Sequence, residues 1–138
     1  MPQTPLHLAG FILAASLVAA PAFAEERLSA HLTGAGKDPD GQGHANVRID
    51  AAKSEVCYDL MVENIALATA AHIHKGAAGE NGPPVVPLTK PGADGKSSGC
   101  ATADKAVVEA ILAAPGGYYV NVHNAEFPPG AIRGQLAK

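Results

Sequence analysis

Three histidines carry the chemistry this sequence offers. His72 and His74 flank Ile73 in Ala71-His72-Ile73-His74-Lys75-Gly76, and His123 closes the alternating run Tyr118-Tyr119-Val120-Asn121-Val122-His123. Side chains alternate between the faces of a strand, so His72 and His74 share a face, roughly 6.5 Å apart along it. The same alternation sets His123 with Tyr119 and Asn121, opposite Val120 and Val122. If the two runs lie side by side, three imidazoles meet on one face. Imidazole suits copper and zinc, and nitrogen sites hold Cu(II) most tightly of the divalent first-row ions. The expected metal ligands are therefore His72, His74 and His123, with His44 as a candidate fourth and copper as the cofactor. The amine of Glu25 is a further candidate after cleavage of a leader; Met61 would suit Cu(I), but the reading preferred for it is packing. Protons compete for the same nitrogens, so affinity should fall as pH drops through the ordinary histidine range, about 6.5.

The same residues have a plainer use. Strand histidines often donate to a carbonyl or a carboxylate and do nothing more. On that reading His72 and His74 hold the loop that follows them, Asn121 and His123 brace the final turn, and Arg133 pairs with a carboxylate such as Glu63, Glu80 or Glu126.

Length and composition bound the setting. The chain has 138 residues and a net charge of −3, with no basic run. Nucleic acid is excluded as a partner, because phosphate contacts need clustered Lys and Arg. Leu6 to Ala20 is almost unbroken apolar sequence, followed by Ala22-Phe23-Ala24. A run of that length is short for a bilayer span, and small-x-small is a cleavage signal, so residues 1–24 are expected to be a secretory signal peptide. Residues 25–138 then form a single exported domain, periplasmic or secreted, with no membrane span after cleavage. In an oxidising compartment Cys57 and Cys100 are expected to form one disulfide; two buried free thiols are the alternative. Their wide spacing disfavours a cysteine metal knuckle.

Most of the domain reads as strand. Arg27 to Thr33, Gly43 to Asp50, Ser54 to Asn64, the stretch leading into His72-Ile73-His74, Val85 to Leu88, Tyr118 to Asn124 and Ala131 to Leu136 all carry strand patterns. Pro87 restricts its strand to an edge or an end. Thr89 to Gly99 reads as loop. One helix is expected over Thr102 to Ala114, capped by Thr102 and stopped at Pro115-Gly116-Gly117. Short strands separated by turn signals predict an all-β, antiparallel sandwich or Greek-key barrel; of the two, a Greek-key β-sandwich with one short helix in a connection is expected.

The motifs resemble the CHRD domain, a family named from chordin and common in exported bacterial proteins. The resemblance rests on Ala71-His72-Ile73-His74 with Gly76 and Gly79-Glu80-Asn81-Gly82-Pro83. It extends to Tyr119-Val120-Asn121-Val122-His123-Asn124 and Pro129-Gly130-Ala131-Ile132-Arg133-Gly134-Gln135-Leu136, and runs from about Leu28 to Leu136. It implies a secreted or surface β-domain but little chemistry. The order of His72, His74 and His123 is also similar to the copper ligands of Cu/Zn superoxide dismutase. Residues 75–100 contain no histidine, so the zinc half of such a site is not expected. Three functions follow from the sequence: an exported copper-binding module, a structural or protein-interaction domain at the cell surface, or, as the weakest, a dismutase-like redox enzyme.

Overall fold

Among the described residues the computed structural model has eight strands, most of them built on alternating apolar residues. It describes residues 1–3, 10, 12–19, 25–35 and 37–138; the cleavage signal at Ala22–Ala24 lies outside the described residues. The strands are β1 (Glu26–Thr33), β2 (Gln42–Asp50), β3 (Glu55–Glu63), β4 (Ala68–Lys75), β5 (Pro84–Leu88), β6 (Lys96–Thr102), β7 (Tyr118–Asn124) and β8 (Ile132–Gln135). One helix, α1 (Lys105–Ala113), and a 3₁₀ turn at Pro115–Gly117 link β6 to β7.

All pairings are antiparallel. The strands form one sheet in the order β5-β4-β7-β8-β1-β2-β3-β6, and the two end strands approach each other, so the sheet nearly closes. The expected all-β, antiparallel fold with one short helix is present, its strands joined in one continuous sheet. The reason is the short strand β8. It pairs with β7 along Val122–Tyr119 and meets β1 at Thr33–Arg133, with a further bridge between Ser29 and Ala137. A four-residue strand is a weak sequence signal, yet it joins the two halves. Pro87 stands on β5 at the edge of the order, as its missing N–H requires.

The inward residues follow the alternation. Leu28, Ala30 and Leu32 on β1, Ala45, Val47 and Ile49 on β2, and Val56, Tyr58, Leu60 and Val62 on β3 are buried. Ile73, Val86, Val120, Val122 and Ile132 join them from the other half, and α1 adds Val108 and Ile111. Full burial of a side chain of this size stabilises by about 1.5–3 kcal/mol. The helix starts later than expected. Thr102 ends β6, and Asp104 occupies the cap position without a side-chain hydrogen bond. β6 itself falls partly in the expected loop. Lys-Ser-Ser-Gly-Cys-Ala-Thr has little strand propensity, and its pairing with β3 from Thr102–Glu55 to Lys96–Met61 makes it a strand. Cys100 faces Cys57 in that pairing, and the two form a disulfide.

Candidate metal centre

β4 and β7 are neighbours, which brings the three histidines together. His72 faces Asn121, His74 faces Tyr119, and His123 faces Ala70 across the pair. With Ile73, Val120 and Val122 in the core, all three imidazoles lie on the outer face. Ring centroids are separated by 5.5 Å for His72–His74, 5.2 Å for His72–His123 and 5.5 Å for His74–His123. One nitrogen from each ring lies within 4.8 Å of the others. Nitrogens bound to one ion at about 2 Å stand at most about 4 Å apart, so closure onto an ion needs side-chain shifts of about an ångström.

The hydrogen bonds fix the tautomers. His74 Nδ1 lies 2.8 Å from the Gly82 carbonyl, and His123 Nδ1 lies 2.8 Å from the Pro128 carbonyl. A carbonyl only accepts, so in the neutral rings both Nδ1 atoms carry the proton and both Nε2 atoms present a lone pair. His72 Nδ1 is 3.2 Å from His123 Nε2 and donates to it. His74 Nε2 is buried and, among the described residues, has no hydrogen-bond partner. A buried lone pair without a donor is costly. A metal ion is the partner the donor set suits: three nitrogens, two of them oriented by carbonyl groups behind their rings.

The supporting residues come from the loop after β4. Residues 76–83 fold back so that Gly82 accepts from His74 through its carbonyl and donates through its N–H to the Tyr119 hydroxyl, 3.1 Å away. A Cβ on Gly82 would collide with the Lys75 carbonyl, so only glycine allows this return. Tyr119, 2% exposed, stacks under His74 with ring centroids 5.1 Å apart. Arg133 lies over the other part of this stack, 4.9 Å from the Tyr119 centroid. It donates to the Glu80 carbonyl at 3.0 Å and to Asn81 Oδ1 at 2.8 Å. The carboxylate partner expected for Arg133 is therefore corrected. The loop presents backbone and an amide to the guanidinium, and among the described residues no carboxylate reaches it.

Asn121 braces the turn after β7: its Nδ2 donates to the Pro129 carbonyl at 3.0 Å. Gly130 has φ +133, and a Cβ there would strike the Asn121 amide. His44 is not in the cluster. It lies on β2 between His31 and Met61, exposed, with β7, β8 and β1 between it and β4.

Burial lowers the pKa of His72 below the ordinary histidine value, and the neighbouring His123 and His74 lower it further. His74 is also lowered, mainly by burial, with His123 and Arg133 adding to it against the Gly82 carbonyl bond, which raises it. Both rings therefore favour the neutral, ligating form at pH 7.

Sequence reasoning did not find Tyr119 as the platform under His74, nor the Gly82 and Pro128 carbonyls. A tyrosine two residues from Asn121 and four from His123 on one strand face was the available signal for the first. Backbone acceptors leave no residue-type signal. A family model described as the CHRD domain matches residues 28–136. No curated protein matches the sequence.

Proposed function

The chain belongs to the CHRD domain family, and on that premise we propose that it is an exported metal-binding module whose ion is copper. The observation that carries this reading is the buried, unpartnered Nε2 of His74, which shares its surroundings with ring nitrogens of His72 and His123. His74 and His123 are each held by a carbonyl on the far nitrogen, the arrangement that orients metal ligands. Nitrogen ligands favour Cu(II) over the other divalent first-row ions. His72 would move its proton from Nδ1 to Nε2 to free the nitrogen that now donates to His123. A bound ion would gain a nearly preformed site on two rigid strands, suited to holding or delivering the metal.

Export fits the same reading. Ile12, Leu13, Leu17 and Val18 are exposed, packed against nothing in the domain, as expected of a leader that is removed. The disulfide fits a periplasmic or secreted setting. Among the described residues, no helix is long and apolar enough to cross a membrane.

A second reading has its own observation. The bonds from His74, His123, Asn121 and Arg133 all tie loops to the sheet, so the cluster would serve a structural or protein-interaction domain without metal. Cu(II) titration of the purified protein separates the two. Metal binding predicts one tight equivalent in the parent, lost in the triple variant His72→Ala, His74→Ala, His123→Ala. Equal binding by parent and variant overturns the module and leaves the bracing role.

A further inference from the structure

The outer face of β1, β2 and β3 carries another set of ligand-type side chains. His31 stands directly opposite His44, and His44 directly opposite Met61. Opposite residues in adjacent antiparallel strands have Cβ atoms about 4.5–5.5 Å apart and share a face. Imidazole, imidazole and thioether therefore stand in one line, with His44 in the middle. All three side chains are exposed, Met61 to 47%. About half of Met61 is therefore left in water, and packing accounts for only part of an apolar side chain of that size on an outer strand face.

His44 is also oriented. Its Nε2 lies 3.2 Å from the Asn46 side-chain oxygen. An amide oxygen only accepts, so Nε2 carries the proton and Nδ1 presents its lone pair. The three residues border a shallow depression of about 210 Å³ that also includes Gln42 and Glu63. Glu63, opposite Gln42, brings a negative charge one row away. Lys96, opposite Met61 on β6, is the cation on the other flank.

We propose that His31, His44 and Met61 form a second, solvent-open copper site that prefers Cu(I). Soft thioether sulfur selects Cu(I), and imidazole also serves copper. The site is separate from the three-histidine cluster. The pairs Thr33–Arg133 and Ser29–Ala137 set Gln135 opposite His31, and Gln135 faces Tyr119, which faces His74. Both sets thus lie on one cross-strand row, with His31 three strand spacings from His74, roughly 14 Å along the sheet. Tyr119 and Gln135 fill the interval. Gln135 spends its amide nitrogen on the carbonyls of Gly76, Gly116 and Tyr118, so no ligand connects the sites.

The test is anaerobic Cu(I) titration of the full protein in competition with a chromogenic Cu(I) chelator, with X-ray absorption to detect a copper–sulfur path. The triple variant of His72, His74 and His123 should still take one Cu(I) with a sulfur neighbour. Met61→Leu, which keeps the side-chain volume, should weaken that binding at least about tenfold and remove the sulfur path. His31→Ala with His44→Ala in the otherwise unchanged protein should lower the Cu(I) stoichiometry by one. Unchanged affinity and scattering in Met61→Leu, or unchanged stoichiometry in the double variant, overturns the proposal. Because these residues are exposed, the variants should keep the parent's melting midpoint. Their failure would leave the three-histidine cluster untouched, since no residue is common to both sets.

Discussion

The two histidine sets lie on one row of one sheet, yet they are built differently. At the β4–β7 end a glycine-rich loop folds over the rings, and His74 is only 7% exposed. Backbone carbonyls set its proton and that of His123. At the β1–β2–β3 end, among the described residues, His31, His44 and Met61 are left exposed and a single amide orients one ring. The difference comes from the connections. β4 runs into residues 76–83, which return across its outer face, whereas β2 and β3 join through a tight turn at residues 51–54 that stays clear of the row. Covering strips water from the rings, favours their neutral forms and fixes their geometry. Openness leaves His31, His44 and Met61 accessible to solvent, so at the proposed second site selectivity would rest on the softness of the donor atoms.

The largest expected effect comes from removing the covalent tie between β3 and β6. Cys57 and Cys100 are 43 residues apart in sequence, and a closed loop of that length stabilises by about 4 kcal/mol in the chain-entropy model. Cys57→Ala with Cys100→Ala should lower the denaturation free energy by about that amount, measured by urea unfolding. The comparison sharpens if hydrogen exchange accelerates most on β3 and β6, beside Met61, and least on β4 and β7. Uniform acceleration would show that the two ends unfold as one unit.

Next comes Arg133. It clamps Glu80 and Asn81 and lies over the tyrosine that stacks on His74. Arg133→Leu should weaken Cu(II) binding about tenfold, the scale of second-layer losses at metal sites. The same replacement should leave Cu(I) binding at Met61 unchanged. Isothermal titration with each ion checks this, and an equal loss of both would break the separation of the two regions.

The smallest effect concerns pH. His72 and His74 both have folded pKa values below the ordinary 6.5. The unfolded chain therefore takes up protons first as pH falls. Their contribution to the stability of the metal-free domain is complete above about 6.5 and is lost as pH falls through the lowered folded values. At His72 and His74, protons should likewise compete with Cu(II) only at lower pH than they do at free imidazole. Binding curves from pH 8 to 4.5 check the onset; a decline beginning above pH 7 would contradict it.

Local patterns in the chain determine much of this protein. Alternation alone assigns Leu28, Ala30, Leu32, Val47, Ile49, Val56, Leu60 and Val62 to the core, because a strand with one buried face must repeat every two residues. The same rule puts His72 with His74, and Asn121 with His123. Proline at position 87 announces an edge strand, and glycines announce the turns. What the pattern does not contain is which strands are neighbours. Only the tertiary structure sets β4 beside β7, so that the three imidazoles meet, and sets β8 between β7 and β1, so that the strands join in one nearly closed sheet. Only tertiary pairing makes a strand of Lys96–Thr102, whose residues have little preference for one. It also takes His44 away from the cluster and aligns it with His31 and Met61. Strand pairing depends on backbone groups that every residue carries alike, and the carbonyls of Gly82 and Pro128 that orient the rings are of the same kind. Residue types record which face a side chain takes, and the fold decides what that face meets.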